Sequence, residues 1–184
     1  NGWSPSKRNN RFANSGIVTQ ISPEELHSLG YKGVKAGIKF QQDIEQKAGK
    51  WAQGSQKAPA QMALDFVANK PSKTLKESSY LPGIFPANFN DLFPEPIAKR
   101  LREGLKAFDR KMPGFLKSNP IIIGPETRTS APVRIPRNEE LMHPDVVGLF
   151  PCGEGAGYAG GIASAAIDGE RCAIAAVKLL QENL

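Results

Sequence analysis

The stretch from Val146 through Gly148–Leu149–Phe150–Pro151–Cys152–Gly153–Glu154–Gly155–Ala156–Gly157–Tyr158–Ala159–Gly160–Gly161 constrains this chain more than any other. A short apolar run, Val146 to Phe150, leads into a loop with glycine at 153, 155, 157, 160 and 161. Behind the loop, Ile162 to about Leu180 consists mostly of small and aliphatic residues without proline. The order predicts a strand, a loop and a long helix. Glycine lets a backbone approach a ligand with no side chain in the way. A helix start then offers unpaired N–H groups and positive dipole charge to an electron-rich group. Glu154 is the one acid in the loop, placed to accept hydrogen bonds from ligand hydroxyls.

A strand–loop–helix unit of this composition suits a flavin or a nucleotide. The plainer alternative is a tight turn whose helix packs closely on a sheet through its small residues. The density of glycine around one acid favours a ligand, because glycine costs backbone entropy on folding.

With 184 residues, 40% of them hydrophobic, the chain can bury a core as one ordinary domain or two small ones. No apolar run approaches the roughly 20 residues that span a bilayer. The chain opens on polar NGWSPSKRNNR with no initiator Met and no signal-peptide pattern, so it reads as a piece of a longer protein. Cys172 falls well inside the predicted helix, roughly 16 Å along its axis from the start near Cys152. A disulfide needs Cα atoms within about 7 Å. Two free thiols and a reducing, cytoplasmic compartment are expected.

The net charge of +6 is spread along the chain, with one cluster at Lys7, Arg8 and Arg11. Another covers Lys99, Arg100, Arg102, Lys106, Arg110 and Lys111 on a predicted helix, where a solvated face explains it. No recognisable nucleic-acid module accompanies these charges.

Residues 1–15 read as an irregular lead-in, and Gly16–Ile21 has strand composition. Ser22–Pro23–Glu24–Glu25 is a helix-start signature, with the helix stopping near Gly30. A second helix is predicted over Gly37 to Ala52, with Phe40, Ile44, Ala48 and Trp51 as its buried stripe. A third is predicted over Ala60 to Ala68. Pro71, Pro82, Pro86, Pro94 and Pro96 argue against long regular elements between 69 and 96. Pro96 opens a fourth helix with Ile97, Leu101, Leu105 and Phe108 at helical spacing, ending near Met112–Pro113–Gly114. Ile121–Ile123 and Thr127–Ile135 read as strands. The fold class is α+β, with antiparallel strands interrupted by a helical insertion. The expected divisions are 1–21 as lead-in and joining strand, 22–118 as insertion, 119–140 as strands, and 141–184 as the final unit.

The sequence Pro151–Cys152–Gly153–Glu154–Gly155–Ala156–Gly157–Tyr158–Ala159–Gly160–Gly161–Ile162 is followed by Ser164–Ala165–Ala166–Ile167–Asp168–Gly169. Together they closely resemble the C-terminal flavin motif of a bacterial family of uncharacterised FAD-dependent, NAD-utilising dehydrogenases. Three other stretches resemble the same family. They are Asn1–Gly2 with Ser4–Arg8 and Phe12–Gly16, then Lys57–Gln61, then Glu126–Ser130 with Pro132–Ile135. More distantly, the loop is similar to that of glutathione-reductase-like flavoproteins.

The resemblance implies a flavoprotein oxidoreductase in which this C-terminal part completes a Rossmann-like FAD domain. Gly153, Glu154 and Gly155 would meet the ribityl–phosphate part of FAD. Gly160, Gly161 and Ile162 would offer backbone N–H groups to the ring, and Tyr158 would line the ring or close the loop. Arg128 and Arg134 would form a wall of the flavin or substrate pocket, where an arginine binds a carboxylate bidentately. The alternative for these arginines is an ion pair with Glu126 or a surface charge. Ser4, Ser6, Lys7 and Arg8 are lesser candidates for cofactor or interdomain contact.

The strand–G-x-G-x-x-G unit that holds the ADP half of FAD in the family has no expected counterpart here; Gly155–Ala156–Gly157–Tyr158–Ala159–Gly160 has that spacing but belongs to the C-terminal motif. In the relatives that unit lies in a preceding N-terminal region, so that region is the expected partner and the isolated chain should hold FAD weakly or not at all. The family also implies NAD(P)H as an electron donor and a small-molecule substrate. Catalytic residues are not identifiable, His27 and His143 read as structural, and neither a redox cysteine pair nor a metal cluster is expected. The rival readings are a non-catalytic phosphate or nucleotide-binding module and a basic nucleic-acid-binding domain.

Overall fold

The computed structural model describes residues 7, 9–128 and 131–182. The chain forms two units, Asn1–Thr127 and Arg128–Leu184. The first contains α1 (Pro23–Ser28), α2 (Ala36–Trp51), β1 (Ala58–Met62), α3 (Ala63–Val67), β2 (Ile84–Pro86), α4 (Phe89–Leu92), α5 (Glu95–Lys111) and β3 (Ile121–Ile123). The second contains α6 (Ile162–Glu182) behind an irregular segment.

Local chemistry accounts for the helix starts. At α1 the Ser22 Oγ accepts the Glu25 N–H at 3.3 Å while Glu25 Oε2 accepts the Ser22 N–H at 3.0 Å, with Pro23 at the first position. This reciprocal box satisfies two donors that the first turn leaves open. The α2 stripe buries Phe40, Ile44 and Ala48, and Tyr31 meets Phe40 edge-on at 5.3 Å. In α5 the buried residues are Ile97, Ala98, Arg102 and Leu105. Phe108, expected in that stripe, is more than a third exposed and packs on Phe115 instead.

The sheet has the order β2–β1–β3, parallel between β1 and β2 and antiparallel between β1 and β3. It is therefore mixed rather than purely antiparallel, within an α+β fold. Its central strand corrects the helix expected over Ala60–Ala68: only Ala63–Val67 is helical. Ala, Gln and Met favour helices, but pairing on both edges outweighs that preference. Ala60 pairs with both Pro86 and Ile123.

Burial on both faces of β1 requires small residues and a satisfied Gln61. Ala60 and Gln61 are fully buried. Gln61 Nε2 donates to the Lys70 carbonyl at 2.8 Å, and Gln61 Oε1 accepts the Phe89 N–H at 2.8 Å. The Lys57–Gln61 motif thus has a structural use, stitching β1 to the 70s segment and to α4. Phe93 stacks on Phe89 and Phe66 meets Phe89 edge-on around this point, with Leu92, Ile97 and Leu105 in the same core.

Three expected strands do not form among the described residues. Gly16–Ile21 is extended and alternates, with Ile17 and Ile21 packed on the core, but it joins no ladder. The described part of Thr127–Ile135 is irregular, because Pro132 and Pro136 lack the N–H groups a ladder needs. Val146–Phe150 is a turn in which His143 N–H donates to the Leu149 carbonyl at 2.8 Å. An apolar run becomes a strand only where another strand supplies its hydrogen bonds.

Candidate functional site

The glycine loop folds back along α6, and one ion pair holds its start. Arg137 Nη2 lies 2.7 Å from Asp168 Oδ1, and Arg137 Nη1 lies 3.0 Å from Asp168 Oδ2. Both side chains are 9% exposed. Arg137 Nη1 also donates to the Pro151 carbonyl at 2.9 Å, while Asp168 Oδ2 accepts the Gly153 N–H at 2.9 Å. The pair therefore fixes both peptide groups flanking Cys152. The Arg137 guanidinium and then the Gly153 N–H hold the Asp168 carboxyl down to about 2. Asp168 in turn pushes Arg137 up.

Sequence reasoning assigned no role to either residue. The available signal was an acid at Asp168 within the otherwise uncharged first two turns of helix. Its partner could not be read off, because a long irregular segment separates the two positions.

Tyr158 closes the loop. Its hydroxyl donates to the Ile135 carbonyl at 2.7 Å, and its ring carries Arg137 at 3.6 Å and Arg134 at 4.3 Å from the centroid. Arg134, Arg137, Asn138 and Tyr158 line an open notch beside the loop. Arg134 is exposed there, and Arg128 is exposed at the first position of the second unit. Thr129 and Ser130, like Ser4, Ser6 and Arg8, lie outside the described residues.

The glycines differ in what they do. Gly157 has φ +85°, and a Cβ there would lie 2.8 Å from the Val133 oxygen and 3.1 Å from Arg134 Cα. Glycine is required at 157 for close chain crossing, which Ile135 N–H seals by donating to the Ala156 carbonyl at 3.1 Å. At Gly155 and Gly160 a Cβ would meet nothing within 4 Å, and neither has positive φ. The chain's own packing makes no demand for glycine at those two positions.

Of the expected backbone donors, Gly161 N–H donates to Ser164 Oγ at 3.1 Å, and at the expected ribityl–phosphate position the Gly153 N–H is occupied by Asp168. Ile162 opens α6 with its side chain 94% exposed, and its N–H has no acceptor within the helix. Glu154 is exposed at the loop tip. Ile162, Ile167, Ile174, Val177 and Leu180 are each more than half exposed. Helical periodicity puts them on the side of α6 away from Asp168 and Cys172.

The basic helix reads differently in three dimensions. Arg102 is buried on Glu95 and Asn90, Arg100 pairs with Glu25 at 2.6 Å, and Lys106 pairs with Glu103 at 2.8 Å. Arg102 therefore does not belong to a solvated face. His143 Nδ1 accepts the Asp145 N–H at 3.1 Å, a turn contact. Both cysteines are free, Cys152 exposed and Cys172 buried. Among the described residues there is no cluster able to hold a metal ion and no helix long and apolar enough to cross a membrane.

The chain belongs to the family described as FAD-dependent protein, C-terminal domain-like, whose model matches residues 1–129. It is also similar to a protein of Clostridium beijerinckii described as an uncharacterized protein, at 41% identity over 177 residues. That similarity covers 94% of this chain and 32% of the relative. The chain therefore spans about a third of the length of the curated relative it matches.

Proposed function

We propose that this chain is the C-terminal part of an FAD-dependent oxidoreductase of the dehydrogenase type. In this reading residues 148–162 receive the ribityl and ring end of the cofactor. The observation that carries it is the open space at Gly155 and Gly160, beside the start of α6. Glycine there costs backbone entropy with no return from the chain's own packing, which fits a surface kept bare for a ligand. FAD would supply the electron transfer, with this chain supplying orientation and electrostatics.

The Ile162 N–H and the positive end of α6 would stabilise charge that accumulates on the ring. Glu154 would accept hydrogen bonds from ribityl hydroxyls. Arg137 and Asp168 would keep the loop in place without touching the cofactor. Arg134, stacked on Tyr158, would orient an anionic group of the substrate or of NAD(P)H in the adjacent notch.

The exposed aliphatic side of α6 supports a partner, and the relative's threefold greater length supports a preceding FAD-binding region of the same polypeptide. Packing against that region would cover α6 and give Val146–Phe150 a strand neighbour, completing a Rossmann-like domain. The test is flavin retention in the full-length polypeptide after dialysis, read from its visible spectrum. Gly160→Val and Glu154→Ala should each lower retention, and unchanged retention in both removes the loop from the site.

A further inference from the structure

The loop and α6 bring two thiols to one place. On one side of Cys152 the Pro151 carbonyl lies 3.9 Å from Cys172 Sγ, and on the other the Gly153 N–H donates to Asp168 Oδ2 at 2.9 Å. Asp168 and Cys172 are four residues apart, hence on one face of the helix. Cys152 therefore sits over the helical turn that ends in Cys172. The separation expected from the axial rise of α6 is removed because the loop doubles back along the helix.

The two thiols differ as a sensor and its resolving partner do. Cys152 is exposed, whereas Cys172 is 3% exposed and lies 3.4 Å from Arg137 Nη1. Burial pushes the Cys172 thiol up, Arg137 pulls it back, and the neighbouring Asp168 and Cys152 add smaller upward pushes. Arg137 is thus positioned to favour the thiolate when Cys172 reacts.

We propose that Cys152 and Cys172 form a redox-modification site in which a peroxide oxidises Cys152 and Cys172 resolves it as an intrachain disulfide. In the first step the Cys152 sulfur attacks one oxygen of hydrogen peroxide. The O–O bond breaks, Cys152 becomes a sulfenic acid and one water leaves. In the second the Cys172 sulfur attacks the sulfenic sulfur, the S–O bond breaks and a second water leaves. Two thiols lose two electrons and two protons, and one peroxide becomes two waters. The new bond staples the start of the glycine loop to α6, reinforcing the Arg137 and Asp168 tethers covalently. The inference stands on the second unit's geometry and does not rest on the flavin reading.

The reduced full-length polypeptide is treated with hydrogen peroxide, alkylated under denaturing conditions and digested with trypsin without reductant. Cys152 and Cys172 fall on different tryptic peptides, 138–171 and 172–178. The expected result is a linked pair of these peptides lighter by two hydrogens, released by dithiothreitol and formed in monomeric chain. Cys172→Ser should abolish the link and leave Cys152 as a sulfenic acid that dimedone traps, while Cys152→Ser should leave Cys172 alkylated. The proposal is overturned if wild-type protein behaves as Cys172→Ser does, or if the link forms only between two chains.

Discussion

Arg137 and Asp168 meet through two hydrogen bonds, at 2.7 and 3.0 Å, and each also holds a backbone group of the loop start. Among the described residues of the second unit, the other buried ones are Pro151, Ala156 and Cys172. A polar clamp therefore does there what an apolar core does in the first unit. Bidentate geometry and the added bonds to the Pro151 carbonyl and the Gly153 N–H are what a buried pair needs to counter the desolvation of its charges.

Removing one partner should be costly. Arg137→Met leaves the Asp168 carboxylate buried without its cation, and Asp168→Asn leaves the guanidinium so. Each should destabilise the second unit by about 3 kcal/mol, as expected for breaking a buried pair. Faster hydrogen exchange at Gly153 and through α6, with first-unit amides unaffected, is the expected readout. Wild-type exchange in both variants would show that the clamp contributes nothing.

The same pair sets an acid limit. The folded Asp168 pKa lies at about 2, below its ordinary 3.8. Its contribution is thus complete above the unfolded value and is lost as pH falls from about 4 towards about 2. Arg137 stays charged throughout. Stability of the second unit should fall through that window in wild type, and Asp168→Asn should flatten the fall. A wild-type slope that persists unchanged in the variant would assign it to other carboxylates.

Glycines 155 and 157 should respond oppositely to alanine. Gly157→Ala forces a side chain into positive φ and against the Val133 oxygen, and should cost about 2 kcal/mol or more. Gly155→Ala has open space and should change stability by less than about 0.5 kcal/mol. Paired urea titrations monitored through Tyr158 or loop exchange separate the two. Equal effects would mean that the 133–157 crossing does not exist in solution.

In the first unit, Gln61→Leu keeps side-chain volume but strands the buried Phe89 N–H and drops the bond to the carbonyl of the exposed Lys70. The expected loss is about 2 kcal/mol, chiefly from the one unsatisfied buried donor. Phe89→Ala, at a side chain 1% exposed, should cost about 4 kcal/mol through the cavity it leaves. Thermal unfolding checks both, and a shift in Gln61→Leu smaller than that of a surface substitution would contradict the network.

Patterns of three to four residues were legible because they need only one element to be meaningful. Ser22 and Glu25 cap α1 within a single turn, and Phe40, Ile44 and Ala48 mark the buried side of α2 by spacing alone. The long α6 was equally readable. Strands were not. Ala60–Met62 was expected to begin a helix and lies in the central strand, while Gly16–Ile21 and Val146–Phe150 looked like strands and join no ladder among the described residues.

The sequence by itself determined which segments coil into helices, where glycine concentrates, and that one acid stands at the loop tip. Those properties depend on backbone sterics and hydrogen bonds within a few residues. Only the tertiary structure decided that Arg137 clamps Asp168, that Gln61 stitches three segments, and that Cys152 lies over Cys172. Each of these joins positions nine or more residues apart, and which distant groups meet is set by how the loops return, a quantity no local pattern contains.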